Sequence, residues 1–247
     1  MNLVYHSTIL TKSNIEALQL VSRFSLPPNS LGYCGRNSAT EKLKNCVIKG
    51  KCDSVAEEIT KFIVLHPYLK TIAKITNLPF TSYDVVECFW LGNDLLKKAG
   101  LKHYDILLDN FAKQGVPDWL VEELREKRPK RFIPFHLFQI LHVGVGRASG
   151  AVPFNLDSIT NCMVRWGKVN SITKNTANIT LNTLMKKKNK YGLVLVKEKQ
   201  PFISKFLPNL KIGDTVAVHW KLITKILNAK EEKNLVYWTK EVLDSQN

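Results

Sequence analysis

The hydrophobic period of this chain changes once, and that change limits the fold more than any single motif does. From residue 12 to 127, apolar residues recur at helical spacing, three or four apart. From 162 onward the apolar runs are β-branched and partly alternate, with turn residues between them. Helices first and strands afterwards predict an α+β protein, because segregated runs do not build the alternating units of a parallel sheet. The expected architecture is an N-terminal all-helical domain (1–130), a connecting segment (131–160) and a small C-terminal OB-like β-barrel with a terminal helix (161–247).

Individual elements follow from local signals. A helix is expected over 12–24, with Thr11 or Ser13 as its cap and Ile15, Leu18 and Val21 on one side. Pro27, Pro28, Gly32 and Gly35 then predict a loop over 26–38. Ser38 followed by Glu41 reads as a capping box for the next helix. Residues 54–76 read as two helical pieces divided at Pro67, which lacks an N–H. Further helices are expected over 82–99, 104–113 and 117–127. After residue 142, Gly144, Gly146 and Gly150 favour a strand or irregular chain. Strands are expected within 162–172, 176–185, 191–198 and 214–223, with KKKNK (186–190) as a hairpin tip. A closing amphipathic helix carries Leu235, Trp238 and Val242 on one side.

Composition sets the outer limits. The 247 residues are 45% hydrophobic and 23% charged, enough apolar surface for a packed core. No apolar run reaches the roughly 20 residues of a membrane span, and the first residues do not read as a secretory signal. A cytoplasmic protein is expected. Five cysteines (34, 46, 52, 88 and 162), odd in number and without a C-x-x-C pair, point to reduced thiols rather than a disulfide framework. The formal charge is +15, and residues 160–247 hold 16 basic against 6 acidic groups. That imbalance fits nucleic acid, an anionic surface or an acidic partner. No phosphate-binding glycine loop, dinucleotide fingerprint, serine elbow or H-E-x-x-H helix is present.

Two blocks in the last third carry a resemblance. Cys162-Met-Val-Arg-Trp-Gly-Lys-Val169 resembles the C-x-x-x-P-G-K-V opening of the HypC/HupF-type hydrogenase maturation chaperones. Gly213-Asp-Thr-Val-Ala-Val-His219, with the helix that follows, is similar to that family's G-D-Y-V-L-V-H block. The resemblance implies a small β-barrel with a trailing helix. It also implies an iron–cyanide–carbonyl fragment as cargo, with Cys162 and His219 as iron ligands. The implied partners are a HypD-type maturation protein and the precursor of the nickel–iron hydrogenase large subunit. The family's cysteine follows its initiator methionine, whereas Cys162 is internal, and Trp166 replaces the proline. In the first part, LPPNSLGYCG (26–35), HPYL (66–69) and VVECFWLGNDLL (85–96) resemble an uncharacterised bacterial and archaeal family, some of whose members are associated with hydrogenase gene clusters.

The residues themselves offer further candidates. Cys34 sits between Tyr33 and Gly35 in a turn that would expose its thiol, with Asn37 as a second polar neighbour. His136 and His142 would share one face if their segment were a strand. Three readings follow. The first is a non-enzymatic accessory or maturation factor for a metalloenzyme, most concretely a hydrogenase. The second is a nucleic-acid-binding module in which Trp166, Lys168, Trp220 and Lys221, with Tyr191 and Trp238, stack bases and neutralise phosphates. The third is a thiol-dependent enzyme centred on Cys34.

Overall fold

The computed structural model describes residues 12–188 and 190–246, so the expected Thr11 cap lies outside the described residues. The helical part contains α1 (Lys12–Ser30), α2 (Ala39–Lys49), α3 (Val55–Ile59), α4 (Leu65–Thr76), α5 (Tyr83–Trp90), α6 (Leu101–Gln114) and α7 (Asp118–Glu126). The connecting segment holds a short helix α8 (His136–Phe138) that continues as a π-helical turn over Gln139–Gly144. Helix α9 (Leu156–Cys162) leads into the strands. These are β1 (Arg165–Ile172), β2 (Thr176–Lys187), β3 (Lys190–Pro201), β4 (Thr215–His219) and β5 (Leu222–Ile226), followed by α10 (Ala229–Gln246).

Several local expectations are corrected by context. Helix α1 does not stop before the prolines; it runs through Pro27 and Pro28 to Ser30. Both fall in its last turn, where each removes only one bond, to the carbonyl four residues earlier. Ser38 has helical backbone angles and its side chain makes no cap bond, so the capping box does not form. The 54–76 stretch divides at 60–64, and Pro67 falls in the first turn of α4, where a helix has no N–H bond to lose. The 82–99 helix ends at Trp90 and resumes as a 3₁₀ turn over Asp94–Lys98. The break is Gly92, at φ +78°, where a Cβ would lie 2.4 Å from the Trp238 ring. Its missing side chain is what admits α10 there.

The 132–150 segment is helical and π-helical around the two histidines rather than a strand, so a period of two does not apply to them. Cysteines 46 and 52 form a disulfide, which overturns the expectation of five free thiols; Cys34, Cys88 and Cys162 remain free. An odd count thus hid one pair. The run 214–223 is two strands joined by a tight turn, in which both Trp220 (φ 47°) and Lys221 (φ 58°) are left-handed.

The five strands form one antiparallel sheet in the order β3-β2-β1-β4-β5. The β2–β3 hairpin pairs from Thr176↔Pro201 to Lys187↔Lys190, so KKKNK is its tip as expected. A single parallel bridge, Phe202↔Ile223, links the end of β3 to β5. Alternation buries Ala177, Ile179 and Leu181 of β2.

The sheet and the helices share one continuous cluster of buried side chains. Phe24 of α1 stacks on Trp90 of α5, with centroids 5.1 Å apart. Arg23, one residue earlier, donates to the carbonyls of Phe206 (2.9 Å) and Thr224 (3.3 Å). The last two turns of α1 therefore face the strands, and the seam between helices and sheet is where the site lies.

Candidate functional site: a thiol–imidazole cavity at the helix–sheet seam

Three elements end at one point of this seam. Cys162 is the last residue of α9, a helix started by Asn155, whose side chain accepts from the Ser158 N–H. His219 is the last residue of β4, and His136 is the first of α8. All three are buried, with exposures of 6%, 1% and 5%. One ligand-capable atom from each lies within 4.8 Å of the others. The Cys162 Sγ is 3.9 Å from His136 Nε2. The two imidazoles meet edge to face, with centroids 5.4 Å apart.

Hydrogen bonding fixes which nitrogens carry protons. A carbonyl oxygen only accepts, so His219 Nδ1 donates to the Phe24 carbonyl at 2.7 Å. That carbonyl is available because Pro28, four residues on, has no N–H to offer it. His219 Nε2 is left with its lone pair, buried and without a partner. His136 Nε2 likewise donates to the Cys162 carbonyl at 2.9 Å, which leaves Nδ1 buried and without a partner. Gln139, one helical turn on, favours the protonated His136 ring.

Burial controls the charges. It pushes His136 well below the ordinary imidazole range, and the neighbouring His219 adds to that effect. His219 is lowered to about 4, chiefly by burial. The Cys162 thiol is raised well above its usual value by burial and further by Cys34, while the Trp220 indole opposes the rise. In the ligand-free protein the cluster is therefore two neutral imidazoles and a thiol. A soft metal changes this, because a coordinated thiol gives up its proton.

These groups line a cavity of ≈ 290 Å³. Trp90 and Phe89 pack against His136, with centroids 4.4 and 5.2 Å away. Trp220 is held over the cavity by its strained turn, by its backbone N–H donating to Asn161 O (2.8 Å), and by packing on Tyr33 at 4.7 Å. Cys34 lines the same cavity from the 31–38 loop. Solvent reaches this residue, yet protein atoms surround the thiol on the cavity side and push it up to about 12. Among the described residues no carboxylate lines the cavity, and its charged lining residues are Arg36 and Lys61.

The structure brings together Cys162, His219, His136, Cys34, Tyr33 and Trp220. It separates others. His142 does not line the cavity; its Nε2 bonds the Tyr104 hydroxyl at 2.8 Å, on the far side of the π-turn from His136. Asn37 is exposed and does not line the cavity. Trp166 (4% exposed) and Trp238 (2%) are core side chains, unable to stack on bases. Lys168 and Lys221 are exposed. The residues that sequence reasoning passed over are Trp90, Gln139 and Pro28, together with buried Asn29, which donates to the carbonyls of Cys34 (2.7 Å) and Arg36 (2.9 Å). The adjacent prolines were a readable signal, since each frees a carbonyl.

Fold and site together define a class: an α+β protein with a buried cysteine–histidine cluster where its helices meet its sheet. The chain belongs to a family of unknown function, DUF6390, whose model matches residues 14–247. The match spans both the helical part and the sheet. No curated protein and no solved structure matches the chain.

Proposed function

We propose that this protein is a non-enzymatic accessory factor that carries a soft metal fragment for the assembly of a metalloenzyme. The observation that carries the reading is the meeting of Cys162, His219 and His136 in one cavity, with one ligand-capable atom of each within 4.8 Å of the others. One thiolate and two neutral imidazoles suit a thiophilic transition metal better than magnesium or calcium, which want oxygen ligands. The cavity, at ≈ 290 Å³, is many times larger than the space a single ion or water fills. Its lining cations, Arg36 and Lys61, suit a cargo that brings anionic ligands of its own. The HypC-like blocks supply the two residues of the C-terminal half, and they make a nickel–iron hydrogenase precursor the client and a HypD-type protein the exchange partner. An iron–cyanide–carbonyl fragment is then the cargo.

The finer fold reading belongs with this proposal. The order β3-β2-β1-β4-β5, with a parallel bridge from the end of β3 to β5, supports reading the sheet as a partly open OB-like barrel. Cys162 and His219 then stand at one rim of it, where the helices close over them.

The test is infrared spectroscopy of the protein purified without oxygen from cells that make hydrogenase maturation proteins. Cyanide and carbonyl stretching bands are expected, and they are absent from the Cys162→Ala protein. Full-length protein with no such bands and no bound metal would end the reading.

A further inference from the structure

The cavity has two thiols at different depths. Cys162 is a buried residue against both imidazoles, whereas Cys34 is a residue that solvent reaches and whose thiol is turned into the same cavity. A metal fragment arriving from solution cannot meet Cys162 first. We infer that Cys34 is the entry ligand: a thiophilic metal is captured on Cys34 at the mouth and passes by ligand exchange to Cys162 and the histidines on the floor. This inference rests on the metal-carrying reading above.

Three features of the 31–38 loop support it. First, the loop is held in place from beneath. Asn29, 1% exposed, donates to the carbonyls of Cys34 and Arg36, and Thr40 Oγ1 donates to Asn29 Oδ1 at 2.7 Å. Second, Gly35 lies at φ +72° with its α-carbon against Phe62, where a Cβ would sit 2.5 Å from the ring. No other residue type turns the chain there without displacing Phe62. Third, Tyr33 packs on Trp220, so the residue beside Cys34 touches the residue that shields Cys162. A loop that only connected α1 to α2 would not need a buried asparagine and a glycine fitted to a ring. The two sulfurs are also near enough for ionised Cys34 to oppose ionisation of Cys162.

The step balances without an oxidant. The Cys34 thiol releases a proton to solvent as its sulfur bonds the metal. The metal–sulfur bond to Cys162 then forms as the bond to Cys34 breaks, and the proton leaving Cys162 is taken up by Cys34. The oxidation state of the metal does not change, and the net release is one proton.

The experiment uses the full chain and Co(II) alone as the probe, mixed rapidly in the absence of oxygen while the thiolate-to-cobalt absorption is followed. In Cys34→Ser and Cys34→Ala, with far-UV spectra like wild type, the band is expected to appear about tenfold more slowly or worse, the scale on which a lost local ligand acts. Its final height and the stoichiometry should not change. In Cys162→Ser, rapid capture on Cys34 should persist but stop at a different spectrum. Wild-type loading rates in the Cys34 variants would overturn the relay and leave the metal site standing. A final band about half the wild-type height in those variants would also overturn it, making Cys34 a permanent ligand. No thiolate-to-cobalt band in the wild-type protein would remove the metal-carrying reading itself.

Discussion

The helical layer and the seam use the same residue type in opposite ways. In the helical layer, His66 Nδ1 donates to Gln114 Oε1 at 3.0 Å, and the Gln114 amide donates onward to the Thr60 carbonyl. His142 bonds the Tyr104 hydroxyl, which itself donates to the Leu124 carbonyl at 2.9 Å. Each ring is one link in a chain that ends on backbone. At the seam, His136 and His219 bond backbone carbonyls directly, and each keeps a buried nitrogen outside hydrogen-bond geometry. A bare buried nitrogen costs roughly 1–3 kcal/mol. A fold tolerates that cost where a ligand repays it. The difference separates histidines wired into the helical layer from histidines that, on the metal-carrying proposal, would bind cargo.

The sharpest way to break this contrast is to remove the thiol of the cluster. Cys162→Ala should abolish high-affinity Co(II) binding in a calorimetric titration, while His142→Phe should bind like wild type. Equal losses in both would mean that the two kinds of histidine do not differ. A second variant probes how the seam is tuned. Pro28→Ala restores an N–H that competes for the Phe24 carbonyl, so His219 loses its fixed tautomer. Metal affinity should fall about 10–100-fold, the usual cost of losing such a support, with helix content in far-UV spectra undiminished.

Acid should act on both regions in the same direction. His142 and His219 are each lowered to about 4, so between about pH 4 and 6.5 the unfolded chain binds protons that the native state does not. Stability of the metal-free protein should therefore drop as the pH falls through that window, read from urea midpoints. His142→Phe should make the dependence shallower. The smallest effect concerns the strained turn. Lys221→Gly relieves a left-handed lysine on the exposed side and should raise stability by about 1 kcal/mol, with Co(II) affinity unchanged.

How much of this was legible varies with the kind of signal. The strands were readable because alternation is local: Ala177, Ile179 and Leu181 announce their own buried face. Cys162 and His219, singled out by two blocks that resemble a family, lie together in the structure. His136 was picked out, but for the wrong reason. Paired with His142 on an imagined strand, it shares no face with it on a π-helical turn, and no periodicity announces such a turn. Trp220 was singled out as a base-stacking residue because charge and aromatics dominate the C-terminal composition. Its role as a cavity wall depends on Tyr33, nearly two hundred residues away in sequence. The turn around Cys34 is legible from its glycines; the residue is exposed, but its thiol is turned inward. What fixes that turn, Asn29, lies in a helix that the two prolines seemed to forbid.

The disulfide between Cys46 and Cys52 gives the protein two populations of sulfur, and these divide by arithmetic. One thiol, Cys34, belongs to an exposed residue; two more, Cys88 and Cys162, are shut inside; the remaining pair is already spent on each other. A thiol-reactive dye therefore reads the state of the molecule as a number: one slow equivalent for the native chain, three once it unfolds, and five only after a reductant has opened the bond. Cargo held at the seam should lower the first of those numbers only while it rests on Cys34. The same count that tells folded from unfolded protein thereby also tells where along the cavity a metal has stopped.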